Sequence, residues 1–107
     1  MRSVLVDIDI KMEYMRRYGL IEILYDKIDY CSRLIGINVL WINIEKSQCG
    51  NTHLRIIVDN TSNIDIIKFK YCVGEDHKRL IHTIRRYEKT GKILDFFYMS
   101  NVKKCTE

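Results

Sequence analysis

Apolar residues recur along this chain with two periods, and the switches between them mark its elements. Alternation comes first: Val4, Val6, Ile8 and Ile10 fall on one face of an extended segment, and Leu5, Asp7 and Asp9 on the other. A helical stripe follows from Leu20 to Ile35, through Leu20, Ile21, Leu24, Ile28, Cys31 and Ile35, with Gly36 placed to cap it. The segment from Lys11 to Gly19 between them reads as first helical turns or as a loop over the sheet edge. Alternation returns from Ile37 to Glu45, which buries Leu40, Ile42 and Ile44 and exposes Val39, Trp41 and Asn43. Ser47 to Asn51 reads as a hairpin, and a third strand from Thr52 to Asp59 buries Leu54, Ile56 and Val58 opposite His53, Arg55, Ile57 and Asp59.

The region from Ser62 to Thr90 is helical in period and broken at Gly74. Ser62 with Asp65 three residues on resembles a capping box, and Ile64, Ile67 and Tyr71 share a face. Asp76 is placed to cap a second segment with the stripe Leu80, Ile81, Ile84 and Tyr87, which Gly91 ends. A fourth strand is expected from Ile93 to Met99, burying Leu94, Phe96 and Tyr98 and turning Asp95 and Phe97 outward. The order strand–helix–strand–strand–helix–strand predicts an α+β two-layer sandwich of the ferredoxin-like (RRM-like) βαββαβ kind. Its four-stranded antiparallel sheet would have the order 4-1-3-2, with both helical layers on one face.

That topology gives the polar positions their meaning. The end of strand 1 would lie beside the starts of strands 3 and 4, which brings Asp7, Asp9, His53 and Asp95 to one end of the open face. Neighbouring strands are about 4.8 Å apart. Carboxylates at such spacing can share a divalent cation, so Asp7, Asp9 and Asp95 are the candidate ligands for Mg²⁺ or Mn²⁺. The hairpin supplies Ser47, a small residue, and Gly50, a glycine, which would leave backbone N–H groups open to phosphate oxygens, and His53 and Arg55 stand beside it.

Length and composition bound the reading. With 107 residues, 47% hydrophobic and 30% charged, residues 1–107 make one domain. No apolar run approaches the roughly 20 residues of a membrane span. Met1-Arg2-Ser3 leads straight into a strand without a signal-peptide pattern, so an intracellular, cytoplasmic protein without a membrane partner is expected. Cys31, Cys49, Cys72 and Cys105 lack zinc-site spacing, and in that compartment they should stay reduced. The net charge is +4. Its cations crowd the second helical region, as Lys68, Lys70, Lys78, Arg79, Arg85, Arg86, Lys89 and Lys92, while Arg16 and Arg17 follow strand 1. Such clustering fits a phosphate-rich partner, with Arg16, Arg17, Lys78, Arg79, Arg85 and Arg86 as the expected nucleic-acid contacts.

The order D-x-D on a strand, S-x-x-G-x-x-H leading into a strand, then a hydrophobic–Asp pair resembles the catalytic motifs of the archaeo-eukaryotic primase superfamily. By that resemblance Asp7 and Asp9 match the first motif, Ser47 and His53 the second, and Leu94-Asp95 the third. It implies an RRM-like palm and metal-dependent nucleotidyl transfer, with a nucleoside triphosphate held beside His53. Gln48 stands where the family's second motif usually has glycine, and the chain offers only the palm. The Ile- and Lys-rich, proline-free style is similar to that of small proteins of archaeal viruses and plasmids.

Two other functions share the expected topology. One is a non-catalytic nucleic-acid-binding or dimerising module, with Trp41 and Phe97 as stacking platforms or as surfaces covered in a homodimer. The other is a rolling-circle initiator-like nuclease. There His53-Leu54-Arg55 departs from the paired metal-binding histidines, and Tyr71 or Tyr87 would be the nucleophile. The small CRISPR-adaptation nucleases offer a further comparison through an Asp that ends strand 1.

Overall fold

The computed structural model describes residues 1–93. Along them run β1 (Arg2–Lys11), α1 (Met12–Arg17), α2 (Leu20–Ile35), β2 (Val39–Lys46), β3 (Asn51–Val58), α3 (Asn63–Val73) and α4 (His77–Thr90). The ambiguous segment after β1 is therefore helical, with Met12 and Met15 buried, and Gly19 separates it from α2.

β3 is the centre of the sheet and runs antiparallel to both neighbours, in the order β1-β3-β2. Its alternation is strict because both of its faces are in use. Thr52, Leu54, Ile56 and Val58 are buried, while Asn51, His53, Arg55 and Ile57 are half-buried. The helices cover the first of these faces. Val4, Val6 and Ile8 of β1 join Leu54, Ile56 and Val58 in one cluster with Leu24, Ile28 and Cys31 of α2 and Ile66, Phe69 and Val73 of α3. Each such side chain contributes about 1.5–3 kcal/mol by leaving water. Gly36 ends α2 with φ +87°, a left-handed conformation that glycine adopts without a Cβ penalty.

The expected four-stranded ferredoxin-like sheet is corrected: among the described residues the sheet has three strands, with four helices. The segment expected as the fourth strand lies outside the described residues from position 94 onward. The physical reason is visible on the outer edge of β1. There Lys70 Nζ donates to the Leu5 carbonyl at 2.7 Å, and the Asp76 N–H donates to the Asp7 carbonyl at 2.7 Å. The Asp7 N–H reaches Glu75 Oε1 at 3.4 Å. The α3–α4 corner thus takes the ladder groups that a fourth strand would need.

Three local expectations change as well. On α3 the buried stripe is Ile66, Phe69, Lys70 and Val73, whereas Ile64 and Tyr71 are exposed. On β2 the register skips at Leu40, between Val39↔Val58 and Trp41↔Ile57, so Leu40 is exposed and Val39 packs on the core in its place. The described cysteines are not reduced: Cys31 of α2 and Cys72 of α3 form a disulfide closing a separation of 41 residues, and Cys49 is disulfide-bonded too. Zinc-type spacing is absent from the sequence, but a bridge between two packed helices needs only proximity of the Cα atoms, here 5.8 Å.

Candidate nucleic-acid interface

The face of the sheet away from the helices carries three cross-strand rows. Asp7, His53 and Glu45 form one, Leu5, Arg55 and Asn43 the next, and Ser3, Ile57 and Trp41 the third. Antiparallel register puts such residues directly opposite one another. His53 Nε2 lies 3.4 Å from Asp7 Oδ1, and both side chains are largely buried, at 15% and 24% exposure. Oδ1 makes no aligned hydrogen bond there, so the two groups are adjacent without a directional bond between them. Arg55 Nε donates to Glu45 Oε1 at 2.7 Å across the strands. Leu5 is buried on this face and Trp41 is half exposed, so access is along β2 rather than over β1.

Of the candidate metal ligands, the structure brings Asp7 beside His53 and turns Asp9 elsewhere. The β1–β3 register jumps from Ile8↔Thr52 to Lys11↔Asn51, which leaves Asp9 and Ile10 in an irregularity. Asp9 is exposed and its Oδ1 accepts from Asn51 Nδ2 at 3.2 Å. Asp95 lies outside the described residues. No group of three or more His, Cys, Asp or Glu side chains positioned to hold a metal ion occurs among the described residues.

The hairpin uses much of its own hydrogen-bonding capacity. Ser47 Oγ accepts the Asn51 N–H at 2.9 Å, the Ser47 N–H donates to the Asn51 carbonyl, and the Gly50 N–H donates to the Ser47 carbonyl. From outside, Lys11 Nζ donates to the Cys49 carbonyl at 2.7 Å and the Met12 N–H to the Gly50 carbonyl at 2.8 Å. These bonds fasten the hairpin to the end of β1.

Sequence reasoning misses a buried ionic latch. Lys70 and Glu75 have fully buried side chains, with Nζ 3.5 Å from Glu75 Oε2, and Arg79 Nε donates to Glu75 Oε1 at 2.9 Å. Composition assigns Lys70 and Arg79 to the basic cluster. Lys70 instead anchors α3 to β1, and Arg79 is three-quarters buried against Glu75. A signal is present in the chain: position 70 completes the spacing of Ile66, Phe69 and Val73, and a lysine there must find buried acceptors.

With those two removed, the remaining basic residues of α4 form a regular pattern. Lys78, His82, Arg85 and Lys89 recur at spacings of four, three and four, which places them within an arc of about 60° on the helix. Arg86 widens that arc to about 100°. All five are exposed. The opposite side holds Leu80, which is buried, with Ile84 and Tyr87 half-buried. The cationic stripe therefore points directly away from the packed side of the helix. Glu88 is the single acid of α4.

Other candidates stand elsewhere. Arg16 and Arg17 are exposed on α1, with the Arg17 guanidinium 5.4 Å over the Tyr14 ring. Tyr71 is exposed on α3 and stacks with His77 at 6.4 Å. On the helical side, a cleft of about 460 Å³ is lined by Leu34, Ile35, Asp65, Lys68, Tyr71 and Cys72. No helix among the described residues is long and apolar enough to cross a membrane. No family model matches the chain, and no curated protein or solved structure matches it.

Proposed function

We propose that the protein is a nucleic-acid-binding module that holds phosphates through the outward stripe of α4, formed by Lys78, Arg85, Arg86 and Lys89 with His82 among them. One observation carries this reading: the stripe lies opposite the buried side of its helix, so all of its charges can meet one extended partner at once. A polyanion with regularly spaced charges is the partner that rewards such an array. Non-catalytic binding accounts for the sheet face better than metal-dependent transfer does. Asp7 lies beside His53 with no second described carboxylate joining it, and Asp9 is turned to Asn51 in an irregular stretch of strand.

Fluorescence anisotropy with a labelled oligonucleotide across a salt series tests the reading. Four phosphate contacts on duplex DNA should give a log–log slope of about −3.6, from about 0.9 per contact. Affinity that does not change with salt, or absence of binding at low salt, would contradict it.

A further inference from the structure

We infer that the partner of α4 is B-form duplex DNA and that α4 enters its major groove; this rests on the nucleic-acid reading above. The shape of α4 matches that groove. The groove is about 12 Å wide, and an α-helix with its side chains is about 10–12 Å across. α4 is 14 residues long, about 21 Å at 1.5 Å per residue, and the stripe from Lys78 to Lys89 runs along about 16 Å of it. Its packing is against α3, on the side away from the stripe, so the charged side can approach a partner first.

The distribution of charge around the helix suits two phosphate walls. Arg85 and Arg86 are consecutive, so they leave the axis about 100° apart. From a helix in a groove, side chains splayed in this way reach the phosphates of the two walls. His82 lies between them in azimuth, with one ring nitrogen able to donate and the other to accept. His82 also stands near the middle of the stripe's length, where it meets base edges, whereas Lys78 and Lys89 stand at the two ends of the stripe, where long side chains reach the backbone.

Single strands are held by laying the backbone in a cationic groove and stacking successive bases on exposed aromatic side chains. The stripe is the convex outer side of a helix and offers one small ring, His82, where a run of bases needs several; Tyr87 is half-buried on the packed side and His77 is stacked on Tyr71. Duplex RNA is disfavoured because its major groove is deep and narrow and side chains do not read it.

The test compares anisotropy isotherms for a mixed-sequence DNA duplex, its separate strands, and an RNA duplex of the same sequence, at matched salt. Four contacts cost about 0.9 log unit of affinity each per decade of salt on duplex DNA and about 0.7 on a single strand, so counterion release alone makes the duplex roughly sixfold tighter at 0.1 M salt. Methyl green, which occupies the major groove, should displace the protein, and netropsin, which occupies the minor groove, should not. His82→Ala should weaken duplex binding while leaving single-strand binding unchanged. Its exposed position keeps the fold intact, which circular dichroism will show. Equal or tighter binding to single strands, equal binding to duplex RNA, or displacement by netropsin alone would overturn the inference while leaving nucleic-acid binding standing. Failure to bind any of the oligonucleotides would remove both.

Discussion

Replacing Lys70 with methionine tests the latch that holds α3 and α4 to β1. Methionine keeps the unbranched stem, one atom shorter, and removes the charge. Glu75 loses the ammonium 3.5 Å away but keeps Arg79 at 2.9 Å, and the Leu5 carbonyl loses the donor at 2.7 Å. Removing one partner of a buried pair costs about 3–5 kcal/mol. The retained arginine places Lys70→Met at the lower end of that range, near 3 kcal/mol. Urea unfolding with the disulfides intact reads this directly, since slopes of about 1–3 kcal/mol per molar convert such a loss into a midpoint shift of about 1–3 M. Glu75→Leu removes the carboxylate that meets both cations and strands the fully buried Lys70 ammonium, so it should cost more than Lys70→Met, toward the upper end of the same range of about 3–5 kcal/mol. A loss below about 1 kcal/mol for Lys70→Met, or a Glu75→Leu variant more stable than Lys70→Met, would refute the latch.

Three further outcomes follow from the geometry. Cys31→Ala/Cys72→Ala should lower stability by up to about 4 kcal/mol, the chain-entropy value for a loop of this size, and thiol alkylation with mass spectrometry should find neither sulfur free in the wild type. Ser62→Ala should cost about 1 kcal/mol in urea unfolding, because Ser62 Oγ accepts the Asp65 N–H at the start of α3; an unchanged midpoint would deny the cap its role. Calorimetry with Mn²⁺ should give the same weak response for wild type and Asp9→Asn, and a saturable isotherm that this substitution abolishes would restore the metal-dependent reading.

Legibility in the sequence follows how locally each feature is determined. β3 can be read because Leu54, Ile56 and Val58 alternate with His53, Arg55 and Ile57 without interruption, and that period needs no partner to define it. The α2 stripe and the glycine caps at Gly36, Gly74 and Gly91 are equally local. The α3 face is misassigned because Lys70 sits in the buried stripe, and its charge makes the true face look more polar than the face of Ile64 and Tyr71. Leu40 and Asp9 are misplaced by register skips, which alternation alone does not reveal. The fate of the β1 edge depends on Glu75 and Asp76, nearly seventy residues downstream of the strand they meet, and no local pattern announces that pairing. The same holds for Cys31 and Cys72. In the candidate interface, Lys78, Arg85 and Arg86 emerge from composition, and separating them from Arg79 and Lys70 requires the packing.

The most direct measurement of the central claim compares salt dependence in wild type and Arg85→Ala/Arg86→Ala. Both residues are exposed, so the double variant should fold and unfold as wild type does. On duplex DNA its log–log slope should be shallower by about 1.8, from about 0.9 for each phosphate that is no longer neutralised. An unchanged slope with unchanged affinity would show that α4 does not carry the interface.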